Sequence, residues 1–401
     1  MTSSPAIPKF SPVARARRSH RCGAQRVWAL HLSFAAWAGL AACGDAQETV
    51  ANSTPNIADP VNATPTPLAS NLAGELASNL ASQTASELLR PPSTAARLQR
   101  SAASTAQCED GLPRGERGEA SPELTTWARF TPSPADVTVC PNGDAFLTLD
   151  GPDEIWRVPP PPAEPQRYAS VRGVQPAGIA CDERGRLFVA GFAVRAQSSY
   201  AAPTLLLVDE EQQALALPQP RFSSFATPNG VAFVPGCGIF TSDTLGGLLV
   251  RTYETRPGRF QSEVQARGLL GINGIAYDPN KRRLYVSNSL TQEVVYYAVD
   301  DRCRLARRFK PYWSGNTFGA FLDGLAVDAL GDVYVASYTP GPVLHLPDGE
   351  SVATLDNPAS LAFRGGTLLM VDYHLNQPAL EGGLFAVALG RCGADLFAAA
   401  R

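Results

Sequence analysis

The sequence predicts an all-β fold: a six-bladed β-propeller of four-stranded antiparallel blades, preceded by a signal peptide and a disordered tether. Three observations predict it. A short phrase recurs along the chain, at Pro134-Ala-Asp-Val-Thr138, Pro176-Ala-Gly-Ile-Ala180, Pro228-Asn-Gly-Val-Ala232, Ile272-Asn-Gly-Ile-Ala276, Leu322-Asp-Gly-Leu-Ala326 and Pro358-Ala-Ser-Leu-Ala362. The third residues stand at 136, 178, 230, 274, 324 and 360, in steps of 42, 52, 44, 50 and 36. A strand-rich repeat of about 40–50 residues is the mark of propeller blades. Each copy also runs on into a polar turn and a second alternating strand. The clearest case is Phe321 to Ser337, where Leu325-Ala-Val327, an Asp-x-x-Gly-Asp turn and Val333-Tyr-Val335 follow one another. Finally, 44% of the 401 residues are hydrophobic and only 18% are charged, enough apolar surface for a well-buried core.

Residues 1–42 read as a signal peptide. Lys9, Arg15, Arg17, Arg18, Arg21 and Arg26 precede the mostly apolar run Val27 to Leu40, which is too short to span a bilayer comfortably. The run ends in Leu40-Ala-Ala-Cys43, which resembles the bacterial lipoprotein signal and implies an acylated Cys43. Such a protein is anchored to a membrane surface without spanning it. Gly44 after the cysteine, by resemblance to the bacterial sorting rule, favours the outer membrane. The alternative is an ordinary signal followed by a lone cysteine. Residues 43–123 read as a tether rich in Ala, Ser, Thr and Pro, too poor in bulky apolar groups to offset chain entropy. Without the six bases of the leader, 28 bases stand against 37 acids, a net charge of −9. That sign excludes nucleic acid as a natural partner and favours a cation.

The propeller is expected over residues 124–401. Thr125 to Phe130 forms one strand ahead of the first repeat and is suited to complete the last blade, a role for which Asp395-Leu-Phe-Ala398 competes. The small residue at the third position of each repeat is glycine in four of six copies, as crowding of backbones near a propeller axis demands.

Six cysteines remain beyond Cys22 and Cys43, an even number that suits disulfides in an exported protein. Cys140 and Cys181 occupy similar positions in adjacent blades, and Cys108 and Cys392 flank the two ends of the ring. The expected pairs are therefore Cys140–Cys181 and Cys108–Cys392, with buried or free thiols as the alternative.

The residue before the small one is Ala135, Ala177, Asn229, Asn273, Asp323 and Ala359 in turn. It stands at the start of the innermost strand, so every copy faces one end of the central channel. Asn229, Asn273 and Asp323 thus bring oxygen donors from three consecutive blades, a donor set suited to a hard divalent cation such as calcium. The plain alternative is turn chemistry, since Asn-Gly and Asp-Gly are common turn pairs.

The segments Pro228-Asn-Gly-Val-Ala-Phe233 with Phe240-Thr-Ser-Asp243, Asn273-Gly-Ile-Ala-Tyr277 with Leu284-Tyr-Val-Ser-Asn288, Asp323-Gly-Leu-Ala-Val-Asp328 and Asn357-Pro-Ala-Ser-Leu-Ala-Phe363 resemble the senescence-marker-protein, gluconolactonase and regucalcin group of six-bladed propellers. The resemblance spans about residues 131–393. It implies a divalent cation held from four blades and hydrolysis of lactones. Three of the implied ligands fall on Asn229, Asn273 and Asp323. The fourth, a glutamate in blade one, falls on Ala135, and Asp136, one step on, can replace it only if the backbone shifts. The resemblance also gives Asp323 the role of orienting or deprotonating the attacking water. Asp243, Asn288, Ser337, Asp372 and His374 sit at comparable loop starts and are candidates to line the pocket, with plain turn residues as the alternative; His374 is a candidate for substrate orientation or proton transfer, or else faces solvent. No nucleophile-elbow motif points to a serine hydrolase. Two functions follow: a cell-envelope, metal-dependent hydrolase of lactones or related esters, or a non-catalytic propeller lipoprotein that binds a ligand or protein partner.

Overall fold

The computed structural model describes residues 123–151, 153–193, 203–315, 321–339, 341–346, 348–374 and 380–397. The expected signal peptide, Cys43, Cys108 and nearly all of the tether lie outside the described residues. The strands run β1 Leu124–Phe130, β2 Pro134–Val139, β3 Ala145–Leu149, β4 Glu154–Val158, β5 Gln166–Ser170, β6 Val174–Cys181, β7 Leu187–Ala193, β8 Thr204–Val208, β9 Ala214–Ala216, β10 Pro228–Val234, β11 Gly238–Asp243 and β12 Leu248–Arg256. They continue through β13 Arg259–Ala266, β14 Ile272–Asp278, β15 Arg283–Asn288, β16 Glu293–Ala298, β17 Lys310–Ser314, β18 Leu322–Val327, β19 Val333–Ser337, β20 Pro342–Leu346, β21 Glu350–Thr354, β22 Pro358–Arg364, β23 Thr367–Asp372 and β24 Gly382–Ala388.

Six four-stranded antiparallel sheets form a six-bladed propeller with no helix among the described residues. Blades one to five are β2–β5, β6–β9, β10–β13, β14–β17 and β18–β21, and blade six is β22-β23-β24-β1. Its outer strand, β1, pairs with β24 from Leu124↔Val387 to Phe130↔Gly382. The earlier strand therefore closes the ring. The competing tail does something else: Leu396 and Phe397 pack against the apolar clusters between blades one and two, two and three, and three and four. Ala394 donates its N–H to Val327 O and packs between blades four and five. The tail thus lies across the turn end of the inner strands, and the Phe233 and Phe397 rings stack at 6.0 Å.

The core follows from strand alternation. Each blade has two apolar faces, and each neighbouring pair of blades shares one buried cluster, such as Ile155, Ile179, Val189 and Leu206 between blades one and two. Turns at one end are set by side-chain caps. Asp182, Asp278 and Asp328 each accept two backbone N–H groups through Oδ1, as in Asp328 with Leu330 and Asp332.

Candidate functional site

Every innermost strand carries a register shift near its start: between Pro228 and Val231, Ile272 and Ile275, and Leu322 and Leu325. A bulge there breaks the ladder at the residue before the glycine and re-aims its side chain. Asn229, Asn273 and Asp323 occupy that step in blades three, four and five, and each is half-buried at the start of its inner strand.

The following glycine explains the closeness of the three. A Cβ on Gly230 would lie 2.6 Å from the Asn273 carbonyl oxygen, and one on Gly274 would lie 2.4 Å from that of Asp323. Each small residue thus lets the next blade bring its own donor residue up to the axis. Second-strand hydroxyls fix the same carbonyls. Ser242 Oγ donates to Asn273 O, and Ser287 Oγ donates to Asp323 O at 2.6 Å. The amides are oriented by the loops after the second strands. Asn229 Nδ2 donates to Thr244 Oγ1 at 3.3 Å, and Asn273 Nδ2 donates to Ser289 Oγ at 3.2 Å. With the nitrogens held there, the amide oxygens are the free ends.

The chemistry of the donor set fits a cation. Asn273 Oδ1 is buried and lacks a hydrogen-bond partner among the described residues. Burial, reinforced by the charge of Asp136, pushes the Asp323 carboxyl well above the ordinary carboxylate range. An orphaned buried carbonyl oxygen beside a poorly solvated carboxylate is costly without a positive partner. Oxygen donors of this kind suit calcium or another hard divalent ion.

Blade one departs from this pattern. Asp136 takes the position that glycine holds in blades two to five, and Asp136↔Thr148 pairs in the same register as the other blades. The backbone has not shifted, so Asp136 does not replace the missing fourth donor at Ala135, which packs against the cluster between blades six and one. Asp136 instead ties three blades together. Its Oδ1 accepts the Val137 N–H at 2.8 Å and the Ser360 hydroxyl, and its Oδ2 accepts the Ile179 N–H at 2.7 Å. Asp136 is half-buried, and desolvation outweighs these bonds, raising its pKa to about 6.

The loop-start candidates divide. Asp243 is fully buried, and its oxygens accept from Ala226 N, Thr227 N and Gly246 N, so it anchors loops and does not line a pocket. Ser337 is likewise buried, its hydroxyl donating to Thr339 O. Asn288 caps its own turn, accepting from Leu290 N and Thr291 N and donating to Leu270 O. Asp372 and His374 do come together, with Oδ2 and Nε2 3.6 Å apart, and Asp356 joins them within 4.8 Å. Burial holds the Asp372 carboxyl above its usual value. Tyr373, between them in sequence, is buried and lies within electrostatic reach of Asp150 and Asp323. Sequence reasoning missed Asp356, Tyr373, Thr244, Ser289, Ser242 and Ser287. For Ser242 and Ser287 a signal existed: a polar residue near the end of an otherwise apolar second strand.

Cys140 and Cys181 form a disulfide between blades one and two. Cys237 and Cys303, left unpaired by the sequence reading, form a second across blades three and four. Cys392 is disulfide-bonded as well, and its expected partner Cys108 lies outside the described residues.

Residues 226–370, which cover most of blades three to six, match the family model described as SMP-30/Gluconolactonase/LRE-like region. No match was found among curated protein sequences. Among solved structures, a putative gluconolactonase superposes with a TM-score of 0.55 and 17% identity over 69% of this chain and 95% of its own. A gluconolactonase from Xanthomonas campestris gives 0.53 and 16% over 66% and 89%. Regucalcin, a calcium-binding protein from Agrobacterium tumefaciens, gives 0.52 and 15% over 66% and 92%. The chain is thus a six-bladed propeller in which residues 226–370 are similar to the SMP-30/Gluconolactonase/LRE-like region.

Proposed function

We propose that the protein is a divalent-cation-dependent hydrolase of lactones or related esters, acting at the channel end where Asn229, Asn273 and Asp323 meet. The observation that carries this reading is the pairing of the orphaned Asn273 Oδ1 with the raised, poorly solvated Asp323 carboxyl. The gluconolactonase and regucalcin likenesses support it at the level of the family.

In this reading Asn229, Asn273 and Asp323 hold the cation, probed first as calcium. When bound, it polarises the lactone carbonyl and stabilises the negative charge that develops on the carbonyl oxygen. Asp323 orients the attacking water and takes its proton. The water oxygen bonds to the carbonyl carbon, the ring C–O bond breaks, and the departing alkoxide takes up a proton. The His374–Asp372 pair stands on the neighbouring blade and is placed to orient the substrate.

Location in the cell envelope is part of the same proposal. Leu40-Ala-Ala-Cys43 supports export and lipid attachment, with the outer membrane favoured, and the disulfides Cys140–Cys181 and Cys237–Cys303 suit an oxidising compartment. Replacement of Cys43 by serine should release the protein from membranes, and unchanged fractionation would refute the anchor.

A second reading, a non-catalytic propeller that binds a ligand or partner, is favoured by one residue: Ala135 at the place of the fourth donor. Thermal melting with calcium and then with excess chelator separates the two. A cation that binds only the native state raises its apparent stability. A calcium-dependent rise that Asp323→Ala abolishes, together with turnover in a lactone screen, supports the hydrolase. No shift with calcium, magnesium, manganese or zinc leaves the binding module.

A further inference from the structure

The two sides of the channel mouth differ in chemistry. On blades three and four, the residues that orient the candidate ligands are each followed by leucine. Thr244 accepts from Asn229 and precedes Leu245, and Ser289 accepts from Asn273 and precedes Leu290. Leu270 lies between them, because the loops are laced together: Leu269 N donates to Gly247 O, Gly271 N to Thr244 O and Ser289 N to Gly271 O. Leu290 sits directly over Gly271, where a Cβ would come within 2.4 Å of its Cγ. Leu245 and Leu270 remain 41% and 54% exposed. Phe222, on the loop leading into β10 at this same end, is 96% exposed and held at φ 60°. Single exposed apolar residues are ordinary, but a group gathered beside polar ligand-orienting residues is not. On blades five, six and one the same end carries the acidic and polar group Asp150, Asp356, Asp372 and His374, with one exposed leucine, Leu380, on the β23–β24 loop.

We propose that the substrate is amphiphilic: a lactone or ester whose carbonyl lies over Asn229, Asn273 and Asp323 and whose alkyl or acyl arm lies along Leu245, Leu270 and Leu290. The proposal rests on the hydrolase reading above. A fully hydroxylated sugar lactone would set hydroxyl groups against the leucines with no partner to accept or donate, which a site penalises. An apolar arm gains from the same contact, by about three- to fourfold in kcat/KM per methylene while the leucines are being covered. The tail residues Leu396 and Phe397 lie across the far end of the inner strands, so the arm lies in this mouth and does not thread through the channel.

The test uses the purified full-length protein with calcium and a series of δ-lactones, from unsubstituted to octyl-substituted, alongside gluconolactone. The expected result is a kcat/KM that climbs along the series and exceeds that for gluconolactone. Leu245→Ser and Leu270→Ser should each cut the octyl-to-unsubstituted ratio about tenfold. A flat series, a preference for gluconolactone, or variants that keep the ratio overturn the proposal while leaving the hydrolase reading intact. If variants keep the ratio but lose co-sedimentation with phosphatidylglycerol vesicles, the leucines form a membrane contact and the proposal falls. If no lactone turns over, the hydrolase reading fails, and this inference fails with it.

Discussion

The Ser360 hydroxyl of the last blade donates to the Asp136 carboxylate of the first, and the other oxygen of Asp136 accepts the Ile179 N–H of the second. One side chain therefore bridges three inner strands at the place where the ring closes. In blades two to five the same step is glycine, and the neighbouring backbone fills the space. Asp136→Ala would leave the Ile179 N–H without its acceptor and the Val137 N–H with only the longer contact to Ser360 Oγ at 3.4 Å. A buried donor left unpaired costs about 1–3 kcal/mol, and a loss of that order is expected in urea melts. Asp136→Ala with native stability would show that the bridge contributes nothing.

Asp323→Ala should behave in the opposite sense. The carboxyl is poorly solvated, and no donor reaches it among the described residues. Its removal should leave the metal-free protein as stable as before, or more so, while abolishing the calcium-induced rise in Tm. Lactone turnover should fall at least about a hundredfold with loss of the base. Calorimetric titration with calcium checks the binding half of this prediction independently of activity.

Acid should stabilise the metal-free protein at this site. The folded pKa of Asp136 is about 6, against an ordinary value of 3.8, so between these values the folded state binds more protons than the unfolded chain. The penalty for burying the charge is fully present above about pH 6 and gone below about pH 4. The raised Asp323 carboxyl acts in the same direction. In melting curves from pH 8 to 4 with chelator, the native protein should gain stability relative to Asp136→Asn as pH falls through about 6. Calcium affinity should weaken as pH falls, because protons compete for the Asp323 carboxylate.

Ser242→Ala and Ser287→Ala test the positioning of the ligand strands. Each removes a hydroxyl that holds the backbone carbonyl of a candidate ligand residue, Asn273 or Asp323. A loss of about 1 kcal/mol in stability is expected for each, with a several-fold loss in calcium affinity. Equal stability loss with unchanged calcium affinity would reduce the serines to structural pins.

Reduction of the disulfides should be costly. Cys140–Cys181 and Cys237–Cys303 close loops with sequence separations of 41 and 66. Chain entropy assigns each about 4 kcal/mol. The Tm should therefore drop clearly in reductant, and Cys237→Ser alone should reproduce part of the drop.

The six-blade count, the closing strand candidate and the shared strand position of Asn229, Asn273 and Asp323 were all legible in the sequence, because each follows from local pattern. Alternating apolar residues make strands, turn aspartates separate them, and a step of about 40–50 residues repeats the unit. Asn229, Asn273 and Asp323 could be aligned because the repeat places them at one step of one strand. The contacts between blades were not legible. Whether Asp136 could stand in for a fourth ligand depended on the local register, and the bulge kept it one step off, where it serves as a bridge. Whether β1 or the tail closed the ring depended on which edge was still unpaired, and pairing of β1 with β24 left the tail to lie across the far end. Asp243 and Ser337 looked like pocket residues by position and proved to be buried, since burial is set by the neighbouring loops. The Cys237–Cys303 pairing and the leucine-lined side of the mouth also join residues from different repeats. Sequence determines what each blade presents; only the closed ring decides which of those groups meet, because those contacts form between strands far apart in the chain.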